Sequence, residues 1–229
     1  MTLGIIAAMK IEAEMIISKM EDATSETCGG VTFTKGKLGG AHVVLSVCGI
    51  GKVFAAMCAQ TMIVKYSPDA VINTGVGGTL TKELSVGDIA ISNAVVQHDM
   101  DTSPLGDPVG LISGINVIDI AADECLVSAI TKAADELGLH SVCGTIASGD
   151  RFIADAGSKK YITDNFGAIA CEMEGAAVGQ VCYVNHVPFA VIRAISDDAD
   201  NGACEDYPTF AANAAKNSAS IVVSIANSL

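Results

Sequence analysis

The chain is punctuated by short apolar runs that stop at glycine or at a carboxylate, and this alternation restricts its fold more than any other feature. Leu3-Gly4-Ile5-Ile6-Ala7-Ala8 leads to Glu12. Ala70 to Thr74 leads into Gly75-Val76-Gly77-Gly78. Gly144 to Ser148 leads to Gly149-Asp150, Ala168 to Cys171 to Glu172-Met173-Glu174, and Phe189 to Ala194 to Ser196-Asp197. Apolar runs of this length bounded by turn formers read as buried strands. Helical patterns alternate with them: Ile11 to Met20, Gly51 to Lys65, Asp119 to Leu137 stopped by Gly138, Glu174 to Asn185, and Tyr207 to Ser228. Val31 to Leu38 and Ala41 to Val47 flank Gly39-Gly40, a hairpin signal because paired glycines allow positive φ in a tight turn. Asp88 to Gln97 reads as a further strand, and His98 to Asn116, rich in Gly, Pro and Ser, as a long loop. Strand-helix alternation throughout predicts an α/β fold with a largely buried mixed sheet and helices on both faces.

With 229 residues and no linker, repeat or low-complexity tract, residues 1–229 form one expected domain. Half the residues are apolar, which is enough for a sizeable core. The 26 acidic residues outnumber 13 Lys and Arg, giving a net charge of -13. Nucleic-acid and anionic-membrane binding rest on cationic side chains, so both are disfavoured, while a small neutral or cationic substrate suits the charge. The same acidity is equally explained as a solubility device. The eight Cys contain no Cys-x-x-Cys and no His at ligand spacing, so no metal or other cofactor is expected. Most lie inside apolar runs, as free buried thiols of a reducing cytoplasm would. No basic run precedes Leu3 to Met9, and Ala219 to Leu229 is too short to span a bilayer.

Ligands of α/β sheets bind beyond the carboxyl ends of strands, where this chain concentrates its carboxylates and glycines. Glu172 and Glu174 follow a buried strand. A carboxylate there can accept two hydrogen bonds from a vicinal diol, although negative charge at a helix N-terminus explains it equally well. Arg193 stands inside the apolar run Val191 to Ile195 and requires a carboxylate partner, for which Glu172 and Glu174 are the candidates. A partly desolvated Asp197 would have a raised pKa and could act as a general acid; a loop turn or helix cap is the alternative. Gly75-Val76-Gly77-Gly78 lets a ligand approach the backbone closely. It matches neither the ATP-binding nor the NAD-binding glycine pattern, and a simple turn remains open.

As a set, these segments resemble the nucleoside phosphorylase superfamily, and most of all its 5′-methylthioadenosine/S-adenosylhomocysteine nucleosidases. The resemblance is carried by Gly4 to Met9 with Glu12, Gly49-Ile50-Gly51-Lys52-Val53, Asn73-Thr74-Gly75 with Gly77-Gly78, Val86 to Ile89, His98 to Asp101, Ser148-Gly149-Asp150 with Phe152-Ile153, Glu172-Met173-Glu174, and Arg193 to Asp197. It runs over almost the whole chain in family order. It implies a three-layer α/β/α domain around a twisted mixed sheet. It also implies cleavage of the bond between adenine and ribose, with Asp197 as the acid protonating adenine N7 and Glu12 as the base activating water. Glu174 with Met173 resembles the clamp on the ribose hydroxyls, and Arg193 and Glu172 resemble its support. Phe152 and Ile153 resemble the adenine pocket, and Gly78 and Ser196 count among the substrate-binding positions. Met9, Ile50, Tyr207 and Phe210 would line the apolar slot for a 5′-alkylthio group. Leu105 would close that slot from the partner subunit of a homodimer. In relatives the position after Gly75 is often Ser, whereas here it is Val76.

A phosphorylase of the same superfamily is the nearest rival, but phosphate needs cationic or hydroxyl ligands. The chain has only two Arg, Arg151 and Arg193, and Val76 offers no hydroxyl. An AMP nucleosidase would need a basic cluster, which is not evident. A futalosine-type hydrolase shares the chemistry and stays open. A silent nucleoside-binding protein is disfavoured by the presence of both Glu12 and Asp197.

Overall fold

A computed structural model describes residues 1–200 and 203–228. The strands are β1 (Thr2–Ala7), β2 (Glu21–Cys28), β3 (Val31–Leu38), β4 (Ala41–Val47), β5 (Ala70–Thr79), β6 (Ile89–Gln97), β7 (Ile120–Ala121), β8 (Ser141–Ser148), β9 (Ala170–Glu172) and β10 (Phe189–Asp197). The α-helices are α1 (Lys10–Lys19), α2 (Lys52–Tyr66), α3 (Glu124–Glu136), α4 (Ala156–Phe166), α5 (Gly175–Asn185) and α6 (Ala203–Ser228). The strands form one mixed sheet in the order β10-β6-β8-β9-β5-β1-β4-β3-β2, with β7 paired to β6. Because β10 also pairs with β5, five of these strands close into a ring, and β1, β4, β3 and β2 extend from it as an arm.

Every residue of β5 is buried. It pairs with β1, β10 and β9 and is covered on both faces, which explains why it reads as apolar without alternation. One face packs α1, α3 and α6 against Ile5, Leu45, Ile72 and Ile192. The other packs α2 and α5 against Ile6, Val44, Val71 and Val191. The mixed sheet with helices on both sides is as expected.

Four details differ from the sequence reading. β5 continues through Gly75-Val76-Gly77-Gly78, so these glycines are strand and not a loop. β2 was not foreseen: it is an edge strand whose polar side chains are mostly exposed, so no apolar period marks it. Its turn at Gly29-Gly30 takes positive φ at both residues, whereas in the hairpin expected at Gly39-Gly40 only Gly39 does so. α4 was hidden as well, because only Ile162 in it is buried. Finally, α3 begins at Glu124, capped by Asp123, whose carboxylate accepts the Leu126 N–H at 2.9 Å, and the expected first turn is used for β7. The long loop carries a short 3₁₀ turn at Ser103–Leu105.

Candidate active site

The carboxyl ends of β1, β5, β9 and β10 open onto one cavity of about 420 Å³, large enough for a nucleoside. Met9 and Glu12 enter it from the start of α1, and Ile50 from the turn before α2. Gly78 comes from β5, and Phe152 and Ile153 from the loop after β8. Glu172, Met173 and Glu174 lie at the end of β9, Ser196 and Asp197 at the end of β10, and Tyr207 in α6. Arg193 stands behind this wall, fully buried. Phe210 and Leu105 do not line the cavity of their own chain; both are exposed, Leu105 by 84%. The cavity also takes in Val76 and Gly77, from the glycine run read as a close approach for a ligand, and Ala8, Arg151, Cys171 and Cys204, which the sequence did not single out as site residues.

Glu12 occupies the third position of α1 and turns back over the helix start. One carboxylate oxygen accepts the N–H groups of Ala8 and Met9, at 2.9 and 2.8 Å, and the other accepts the Val76 N–H at 3.1 Å. β5 can pass this close only because it carries no side chain at 75. A Cβ added to Gly75 would lie 2.6 Å from Glu12 Oε1. The same holds at the acid, where a Cβ on Gly78 would lie 2.7 Å from Asp197 Oδ1. These two glycines therefore make room for carboxylates of the protein itself, a use the sequence alone did not disclose.

Asp197 is 2% exposed. It accepts the Ser196 hydroxyl at 2.8 Å and the Ala199 N–H at 2.9 Å, the latter aimed by a left-handed backbone at Ala199 (φ 51°). Burial raises its pKa, opposed by these two hydrogen bonds. Burial likewise raises that of Glu12, opposed by the Arg193 charge and the three backbone N–H groups. Both groups hold a proton more readily than free carboxylates do.

Arg193 organises the remaining carboxylates. Its guanidinium donates to Glu172, to the Asn73 side-chain oxygen at 2.6 Å and to the Ile192 carbonyl at 2.9 Å, and lies 3.7 Å from Glu174. Both candidate partners are thus engaged, Glu172 the more tightly. Glu172 also accepts the Ser148 hydroxyl and the Glu174 and Gly175 N–H groups at 3.0 and 2.7 Å. Among the described residues, the Glu174 carboxylate accepts only the Gly51 N–H, at 2.8 Å. Burial and the neighbouring Glu172, partly offset by Arg193, push its pKa up to about 7. Glu172 is thus committed to the protein, while Glu174 faces the cavity with capacity to accept further hydrogen bonds. Among the described residues, no group of three or more His, Cys, Asp or Glu could hold a metal ion, and no helix is long and apolar enough to cross a membrane.

Residues 2–227 match the Phosphorylase superfamily. The chain is 40% identical to the 5′-methylthioadenosine/S-adenosylhomocysteine nucleosidase of Shewanella sediminis (strain HAW-EB3), with all of both chains covered. Its structure is similar to that of the corresponding nucleosidase from Neisseria meningitidis in complex with methylthio-immucillin-A, with a TM-score of 0.96, 37% identity and 100% and 99% of the two chains covered. The chain belongs to this superfamily and, within it, to the 5′-methylthioadenosine/S-adenosylhomocysteine nucleosidases, which makes it an N-glycosyl hydrolase. A futalosine hydrolase of Helicobacter pylori strain 26695 superposes as well, with a TM-score of 0.96, 33% identity and 100% and 98% coverage. The fold therefore does not choose between these substrates; the cavity side chains must.

Proposed function

We propose that this enzyme hydrolyses the N-glycosidic bond of 5′-methylthioadenosine and S-adenosylhomocysteine, releasing adenine and the 5-thio-substituted ribose. Glu12 takes a proton from a water molecule whose oxygen attacks C1′. The C1′–N9 bond breaks with its electron pair passing to the base, and Asp197 delivers a proton to N7, so that adenine leaves neutral. Glu174 accepts hydrogen bonds from the ribose hydroxyls beside Met173. With Glu12 and Glu172 it places negative charge where the ribose becomes oxocarbenium-like. Phe152 stacks on the base, the Ile153 backbone bonds its edge, and Gly78 and Ser196 border it. Met9, Ile50 and Tyr207 surround the 5′-alkylthio group.

The observation that carries this reading is that Glu12 and Asp197, both buried and both raised in pKa, reach one cavity from different strand ends. A base and an acid acting on opposite sides of one bond need that separation. Water is favoured over phosphate because Arg193 is enclosed by Glu172, Asn73 and Glu174, and because Val76 brings no hydroxyl to the cavity wall. Parallel turnover of methylthioadenosine, adenosylhomocysteine and deoxyfutalosine tests the substrate assignment. Faster cleavage of deoxyfutalosine than of both others would overturn it.

The active form is read as a homodimer. Ile50, Val53, Phe54 and Met57 expose apolar side chains beside the cavity, and Leu105 projects into solvent. A second copy covering this patch would bury them and bring its Leu105 to the open slot. A monomeric mass in sedimentation at micromolar concentration would contradict it.

A further inference from the structure

Helix α2 begins behind Gly51, which has no side chain with which to cap it. Two carboxylates from distant parts of the chain take its first N–H groups instead. Glu174 accepts from Gly51, and Asp150 Oδ1 accepts the Lys52 N–H at 2.8 Å, a bond between residues 98 apart. Asp150 is itself held, since its N–H donates to Asp99 Oδ2 at 2.9 Å, and Asp99 Oδ1 receives the Lys52 ammonium at 2.6 Å. Lys52, Asp150 and Asp99 thus close a circuit around the helix start, and the ammonium also donates to Gln97 at 3.0 Å. Gly51 has φ 100°, and a Cβ on it would lie 2.9 Å from Asp150 Oδ1, so only glycine fits against this clamp.

We propose that Asp150 is a positioning residue for the ribose clamp: by capping α2 in trans it fixes the Gly51 N–H on Glu174. The inference rests on Glu174 being the clamp. The positive end of the 15-residue helix α2 then bears directly on a carboxylate that lies among Glu172, Arg193 and Glu12. Without the cap the turn at Gly51 loosens, and Glu174 loses the backbone N–H that holds it.

The test compares Asp150→Ala with Asp150→Asn in the full chain, reading KM and kcat for methylthioadenosine across pH together with Tm. Asp150→Ala is expected to raise KM about tenfold, the effect of a lost hydrogen bond to a charged group, and to move the acidic limb of kcat/KM to higher pH. Asp150→Asn keeps an oxygen for the Lys52 N–H and should restore most of both. Unchanged KM and limb, or Asn no better than Ala, overturns the proposal, as does a fall in Tm with neither kinetic change. Should Asp150→Ala not fold, Asp99→Asn loosens the same circuit and carries the same expectation at smaller size. Glu174→Gln, assayed on ribo- and 2′-deoxyribonucleosides, separates the two readings. If it leaves KM for the ribonucleoside unchanged, clamp and proposal fail together. If it erases the preference for the ribonucleoside while Asp150→Ala has no effect, only the proposal fails.

Discussion

Gly75 lies so close beneath Glu12 that a Cβ on it would come within 2.6 Å of the Glu12 Oε1 atom. Glu12 cannot simply swing away, because three backbone N–H groups hold its carboxylate. Gly75→Ala should therefore displace the base. A misplacement of about 1 Å costs on the order of 10²-fold, so kcat should fall at least that far while KM changes little. Steady-state kinetics on a variant with an unchanged circular dichroism spectrum check this; wild-type kcat would contradict it.

Asp197→Asn should lower kcat for methylthioadenosine by about 10²–10⁴-fold, the usual contribution of a general acid. A riboside whose leaving group needs no proton, such as a 4-nitrophenyl riboside, should lose roughly tenfold or less. Equal losses on both substrates would show that Asp197 does not protonate the base.

The clamp itself should cost stability at neutral pH. The pKa of Glu174 rises from 4.5 to about 7 on folding, so between those values the folded chain binds the proton more tightly than the unfolded one. Stability is then full below about 4.5 and is lost as pH rises through 7. Glu174→Gln has no such loss. It should exceed wild type by about 1–3 kcal/mol at pH 8 and match it at pH 4.5, seen as a Tm gain of roughly 2–10 °C at the higher pH only. An equal Tm difference at both pH values would refute the assignment.

Burial opposes the charge on Arg193, but the carboxylates of Glu172, Glu174 and Glu12 around it outweigh that and raise its pKa. Arg193→Met leaves buried carboxylates unpaired and should destabilise the fold by about 3–5 kcal/mol in urea unfolding. A loss under about 1 kcal/mol would contradict this role for Arg193.

Much of this is legible in the sequence, because buried strands and the groups at their ends are local patterns. β1, β4, β5, β8, β9 and β10 follow apolar runs, and Glu12, Glu174 and Asp197 lie at or just past the ends of β1, β9 and β10. What stayed hidden was non-local. The fit of Gly75 and Gly78 against carboxylates from other elements leaves no mark in the neighbouring residues, so the run read as a ligand loop. Ser148, Asn73 and Asp150 act through bonds to residues 24, 120 and 98 positions away, which no spacing rule reaches. β2 and α4 bury too little to impose a period. Phe210 and Leu105 are exposed in a single chain, so their expected place in the slot depends on how a second chain docks.

The most direct measurement is product analysis with methylthioadenosine in phosphate-free buffer and again with phosphate added. The arrangement of Glu12, Asp197 and an enclosed Arg193 predicts adenine and methylthioribose at the same rate in both. A rate that requires phosphate, with methylthioribose 1-phosphate as product, would contradict it.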